Sequence, residues 1–184
     1  MAVMASPAQK IKPIVIETRY FRLRPPRRSD APSIAALIND RAIARNLLTV
    51  PFPYTIGDAH EWLRRVRNMA RRKKPTWVNF IIEIDGRAVG SIALVKISGH
   101  KAEIGYWLAR SYWGKGIMTS AVMKITAFAY GRLKLRRLYA LVFTHNKASM
   151  RVLQKAGFKL EGKLIKNVSK GKILLDEYIF SRVR

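Results

Sequence analysis

Residues 102–122 read AEIGYWLARSYWGKGIMTSAV. From Glu103 to Leu108 alternate residues fall on opposite faces, the two-residue period of a strand. After a short connection come two glycines around Lys115. Beyond them Ile117, Ala121, Ile125 and Phe128 recur at helical spacing. Strand, glycine turn and helix in this order make an anion site. Glycines let the backbone come close, and the first N–H groups of a helix have no partner of their own. Two common phosphate loops do not fit. The P-loop needs Ser or Thr after its lysine, and here Gly116 follows Lys115. The dinucleotide loop needs a third glycine where Thr119 stands, and the runs before it form a meander rather than the first strand of a βαβ unit.

Outward from this stretch the periods alternate. IVIETRYFRLRPP (14–26) reads as a strand stopped by two prolines. Asp30 is placed to cap a helix with Pro32 in its first turn and Ile34, Leu37 and Ile38 inward. VPFPYT (50–55) is a break. Thr55 and Asp58 then outline a capping box for a helix through residue 74, with Trp62, Leu63, Val66 and Met69 inward and arginines outward. WVNFIIEI and RAVGSIALVKI flank Asp85-Gly86, a hairpin signature. LYALVFT (138–144) is a strand, and residues 146–157 are a helix capped by Asn146 and stopped by Gly157. FKLEGKLIK and ILLDEYIFSRV form a last pair of strands around NVSKG. The order β-α-α-β-β-β-α-β-α-β-β is that of an α+β or mixed α/β domain. The expected organisation is a flexible tail over 1–12 and one domain over 13–184.

Composition excludes several classes. The 184 residues contain no cysteine, so disulfides, thiolate metal sites and a cysteine nucleophile are out. No run is long and apolar enough for a membrane span, the start has no apolar core of signal-peptide length, and the cytosol is the expected location. His60 and His100 show no metal spacing, and no metal site is expected. Lys and Arg number 36 against 11 Asp and Glu, a net charge of +25. The cations cluster at 64–74, 131–137 and 166–172, which suits contact with RNA, a ribosome or an acidic protein; a merely solvated basic face is the competing reading.

Taken jointly, the motifs resemble one family. Residues 113–118, Trp-Gly-Lys-Gly-Ile-Met, are similar to the acetyl-CoA loop Gln/Arg-x-x-Gly-x-Gly/Ala of the GNAT N-acetyltransferases. They depart from it at the first and last positions, as the RimJ/RimL-type branch does. ETRYFRLRP, GRAVGSIAL, the 102–122 stretch and HNKASMRVLQKAGFKLEG resemble segments of that branch in the same order. The resemblance implies a mixed, mostly antiparallel sheet of about seven strands with four flanking helices, splayed between the fourth and fifth strands.

It also implies direct acetyl transfer from acetyl-CoA to an amine, without an acyl-enzyme. Trp113, Gly114, Lys115, Gly116, Ile117, Met118 and Thr119 would cradle the pyrophosphate, and Tyr106, Trp107 and Leu108 would lie along the pantetheine arm. Asn146 would reach the same arm, its other reading being an N-cap. Ser149 would sit by the thioester sulfur, where a hydroxyl steadies a departing thiolate better than it acts as an acid. Glu103 is the candidate base, with a salt bridge as the competing reading. His145 is a weaker candidate. Some members of the branch propose an acid a few residues past the GFxxEG segment, and KLIKNVSKGK carries none. Phe52 and Tyr54 are the expected walls of the acceptor pocket.

A chain near +25 repels polycationic amines at range, although salt screens this beyond about 8–10 Å. In the branch that the chain resembles, acceptors include N-terminal amines of ribosomal proteins and some small-molecule amines, and of these the charge favours a protein N-terminal α-amine of the ribosomal-protein type. A small-molecule amine is the alternative within the enzyme class. Outside it stands a basic RNA- or ribosome-binding module on an acetyltransferase fold. The oligomeric state is expected to be monomer or dimer.

Overall fold

A computed structural model describes residues 14–70 and 76–184. Eight strands form one sheet in the order β1-β2-β3-β4-β5-β6-β8-β7. They are β1 (Ile16–Glu17), β2 (Arg22–Arg24), β3 (Val78–Ile84), β4 (Arg87–Ser98), β5 (Lys101–Leu108), β6 (Arg137–Phe143), β7 (Lys159–Lys170) and β8 (Ile173–Val183). All neighbours are antiparallel except β5 and β6. Among the described residues the α-helices are α1 (Ala31–Ile38), α2 (Arg41–Ala44), α3 (Ile56–Ala70), α4 (Ile117–Gly131) and α5 (Lys147–Lys155).

The differences from expectation have local causes. The 14–26 stretch is two strands because Thr18 breaks it: its hydroxyl accepts the Phe21 N–H at 3.0 Å, and its own N–H donates to the Phe21 carbonyl. That makes eight strands rather than seven. The extra helix is α2, a single turn capped by Asp40, which accepts the Ala42 N–H at 2.6 Å. Asp30 does not cap α1 with its side chain. Its carboxylate is taken by the Arg24 guanidinium and the Arg27 N–H. In the last hairpin Asn167, Val168 and Ser169 belong to β7, and the reversal sits at Gly171 (φ +63°) and Lys172. The tail 1–12 and the far end of the 55–74 helix lie outside the described residues. The other local readings agree. Thr55 and Asp58 exchange backbone N–H bonds at 2.8 and 3.1 Å, and Asp85-Gly86 turn through positive φ.

One sheet face packs on α4 and α5. Ile117, Ala121, Val122, Ile125 and Phe128 of α4 and Leu153 of α5 are buried there with Leu94, Ile104, Leu138 and Phe180. Each fully buried aliphatic side chain in this layer stabilises by roughly 1.5–3 kcal/mol. The other face packs on α1 and α3 through Ile34, Ile38, Ala59 and Leu63 against Ile81 and Ala88. No helix among the described residues is long and apolar enough to cross a membrane.

Candidate active site

The parallel pair β5–β6 is joined only from Lys101 to Glu103, opposite Arg137 to Tyr139. Beyond that the strands splay. From Ile104 to Leu108, β5 pairs with β4 alone, so the edge facing β6 keeps its main-chain groups for a ligand, save the Leu108 carbonyl, which Trp113 occupies. A cavity of about 910 Å³ fills the splay. Tyr106, Trp107 and Leu108 line one side, Ala140 to Phe143 the other, and the start of α4 closes an end. The slot between KAEIGYWLA and LYALVFT is the one expected from the sequence; it now falls between the fifth and sixth strands.

At that end Gly114 and Gly116 have φ of +76° and +73°, and an added Cβ on either would meet nothing within 4 Å. The two glycines are thus required by conformation, not by crowding. Gly116 is the N-cap of α4 and has no side chain to cap it. The N–H groups from Gly114 to Thr119 have no acceptor among the described residues, and the first N–H taken up again is that of Ser120. Bare donors, the positive end of a fifteen-residue helix and an open glycine bend fit a pyrophosphate. The open β5 edge fits the amide-bearing arm that follows it in coenzyme A. Trp113 anchors the bend by donating Nε1–H to the Leu108 carbonyl at 2.7 Å. Gly114, Gly116, Ile117, Met118 and Thr119 line the cavity with Trp113, but Lys115 does not. Its ammonium lies 5.5 Å from the Tyr112 ring centroid, a cation–π contact that holds it aside.

Asn146 caps α5, its Oδ1 accepting the Ser149 N–H at 3.1 Å, and it also lines the cavity. The Ser149 hydroxyl lies 2.8 Å from the Tyr106 hydroxyl. The sequence reading placed Tyr106 on the cofactor arm and did not connect it with Ser149. Burial pushes the Tyr106 phenol well above its ordinary range, outweighing the Ser149 contact, so it stays protonated. A phenol donating to Ser149 Oγ leaves the serine O–H for the cavity. Tyr106→Phe is expected to lower kcat about three- to tenfold, the value of one hydrogen bond of about 0.5–1.5 kcal/mol. In a Ser149→Ala background the same change should be silent in steady-state kinetics. Equal losses in both backgrounds would show that Tyr106 acts by packing alone.

On the opposite sheet face the odd residues of β5 look toward α1 and α3. Glu103 lines the cavity there, its side chain 18% exposed, with Oε2 2.7 Å from Lys96 Nζ. Lys96 stands at φ +51° in a bulge between Val95 and Ser98 of β4, and such bulges re-aim side chains. Hydrogen bonding to Glu103 raises the Lys96 pKa in spite of burial, and Tyr139 and Glu177 add to it. Those four groups therefore share one neighbourhood. Glu177 is the acid that the sequence reading missed. It lies on β8 opposite Phe143, is buried, accepts from Asn167 Nδ2 at 2.7 Å and lines the cavity.

The remaining wall is Ile43, Leu47, Leu48, Met69 and Trp77. Lys170 fixes it by donating from Nζ to the Ala44 and Leu47 carbonyls at 2.6 and 2.8 Å. Phe52 and Tyr54 are not part of it. Phe52 is exposed beside the Arg41 guanidinium, and Tyr54 is buried in the α1–α3 core. The loop folds inward at Tyr54 and outward at Phe52, and residues of 43–49 line the cavity in their place. His145 is exposed, stacked on Phe143 at 5.4 Å, and does not line the cavity.

Comparison with known proteins places this geometry. The chain is 41% identical over 118 residues to the probable N-acetyltransferase YjcK of Bacillus subtilis, covering 62% of this chain and 65% of the relative. That alignment thus spans just under two thirds of YjcK. It is 26% identical to the spermidine N(1)-acetyltransferase of Escherichia coli K12, covering 78% and 75%. The ribosomal L7/L12 alpha-N-protein acetyltransferase RimL, in complex with coenzyme A, shares the fold at a TM-score of 0.84 and 20% identity, over 92% and 98% of the two chains. The family model of the acetyltransferase (GNAT) domain matches residues 21–159. The chain belongs to the GNAT acetyltransferase family, acyltransferases whose cosubstrate is acetyl-CoA.

Proposed function

We propose that the chain acetylates a primary amine, the N-terminal α-amine of a protein, by direct transfer. The observation that carries the reading is the β5–β6 slot, with bare α4 N–H groups at one end and Glu103 and Glu177 at the acceptor side. When bound, acetyl-CoA supplies the carbonyl carbon to be attacked and the sulfur that leaves. Gly114 to Thr119 hold the pyrophosphate by main-chain donors, and the β5 edge with Asn146 aligns the arm. Glu103, directly or through one water, takes the proton of the incoming ammonium, and Glu177 adds negative potential beside it. Ser149, held by Tyr106, offers its hydroxyl to the departing sulfur.

Three features support a protein acceptor. The wall of Leu47, Leu48, Met69 and Trp77 offers an apolar seat for a side chain next to the amine. The net charge of +25 opposes long-range approach of a polycation. RimL, which shares the fold, acts on a ribosomal-protein α-amine. The second reading is a small polyamine, favoured by the spermidine-acetylating relative and by the two carboxylates. Labelled acetyl-CoA offered with short N-terminal peptides and with spermidine in competition decides between them. The peptide is expected to lead in kcat/KM by at least about tenfold, a transition-state difference of about 1.4 kcal/mol. A lead for spermidine would overturn the protein reading, and label on neither would overturn both.

A further inference from the structure

A second cleft, of about 490 Å³, lies away from the acetyl-transfer cavity, between α3 and the 3₁₀ turn Arg28–Asp30. Arg27 and Arg28 form one wall, and His60, Arg64 and Arg67 form the other. The first wall is set by sequence. Pro25 and Pro26 end β2, and Asp30 is gripped by Arg24 at 2.6 and 2.9 Å while accepting the Arg27 N–H at 2.7 Å. The PPRRSD turn is thereby clamped with Arg27 and Arg28 outside. On α3, positions 60, 64 and 67 share one face. Met69, which lines the acetyl-transfer cavity, is about 200° round from Arg67 at 100° per residue. Cleft and cavity therefore occupy opposite sides of α3.

None of the four arginines forms an ion pair among the described residues. The one carboxylate in the cleft, Glu61, is engaged by Arg65 at 3.4 Å. Nearby Asp30, Asp58 and Glu83 are each engaged elsewhere, on Arg24, on Thr55, and on Arg22 with Arg24. Like charges gathered around one concavity repel unless an anion joins them. Planar guanidinium forks match phosphate oxygens two at a time. Beyond the exposed His60 ring and half-buried Pro26 the cleft offers no apolar anchor, since Leu63 is buried, and a folded acidic protein would need a larger one for its core contact. A phosphodiester backbone needs only the charge.

We propose that this cleft binds the backbone of single-stranded RNA without reading its bases, holding the enzyme on a ribonucleoprotein while the other side of α3 serves acetyl transfer. The site stands independently of which amine is acetylated. Its test is fluorescence anisotropy of a labelled single-stranded RNA of about 15 nucleotides with the full chain at several salt concentrations. The cleft variant replaces Arg27, Arg28, Arg64 and Arg67 by serine. The control replaces exposed Lys124, Arg132, Lys159 and Lys172 by serine, removing the same net charge elsewhere.

The cleft variant is expected to bind about 100-fold more weakly at low salt. Its plot of log K against log salt should be shallower by about 3, as for the loss of four phosphate contacts. The control should change by less than about threefold, and both should bind acetyl-CoA and acetylate a short peptide like the parent. Arg64→Lys with Arg67→Lys keeps charge and fold, and should cost less than about threefold and leave the salt slope unchanged. Equal losses in the cleft and control variants would overturn the proposal in favour of net charge alone. Undiminished RNA binding with lost binding to polyglutamate would overturn it in favour of an acidic protein.

Discussion

Glu83→Leu is expected to lower the unfolding free energy by about 3–5 kcal/mol, the usual cost of stranding one partner of a buried ion pair. Arg24 lies under the sheet edge with 3% of its side chain exposed, between Glu83 at 3% and Asp30 at 5%. Arg22 joins the same Glu83 carboxylate. Removing Glu83 leaves the buried Arg24 guanidinium with Asp30 as its one remaining carboxylate and its Nε–H without a partner, while Arg22, 43% exposed, turns to solvent. Urea denaturation of parent and variant measures the loss, and a difference below about 1 kcal/mol would show that water replaces the missing partner. The pH dependence carries a second check. Burial pushes the Glu83 carboxyl up, but the Arg24 and Arg22 hydrogen bonds outweigh it and its pKa lies below the ordinary 4.5. Because the folded value is depressed, its stabilisation is complete above pH 4.5 and drains as pH falls through that lower value. The gap between parent and Glu83→Leu must therefore narrow in acid. Glu161, held down to about 2 by Arg137 and Ser181, keeps its own contribution to a lower pH.

What the sequence disclosed was whatever is decided within a few residues. The Asp85-Gly86 turn, the Thr55–Asp58 box, the Asn146 cap and the Gly114–Gly116 bend each need only neighbours on the chain. The splay could be anticipated only by resemblance, because nothing in LYALVFT says where its pairing with β5 stops. The same limit hid the chemistry. Asp30 looks like a cap until Arg24 folds onto it. Glu177 looks like a surface acid until β7 brings Asn167 across a register shift to meet it. Phe52 and Tyr54 looked alike within their loop, and the packing of α1 and α3 separated them. Tyr106 and Ser149, 43 residues apart, share a hydrogen bond that no periodicity encodes.

Glu103→Gln is expected to reduce kcat about 10²–10⁴-fold, the range of a lost general base, while the Kd for acetyl-CoA changes less than about threefold. The separation follows from geometry. Glu103 is on the sheet face with Lys96, Tyr139 and Glu177, and the main-chain cradle begins beyond Leu108 and Trp113, past the open edge of β5. Glutamine keeps the shape and an oxygen that can accept from Lys96, losing only the negative charge, so the fold should tolerate the change. Lys96, its pKa raised first by the Glu103 hydrogen bond, stays protonated through the working range and holds the carboxylate in place. With Glu103 present, the bound ammonium can lose its proton inside the site. Without it, only amine already neutral in bulk reacts. The variant rate should then climb with pH through the ordinary α-amine range of about 7.7–8.0, while the parent curve is flatter below it. Parallel curves, with kcat unchanged, would remove Glu103 as the base and leave its bond to Lys96 as a strut. Glu177→Gln separates the two acids. If Glu177 supplies only potential, its loss should raise KM for the amine more than it lowers kcat, the signature of ground-state binding.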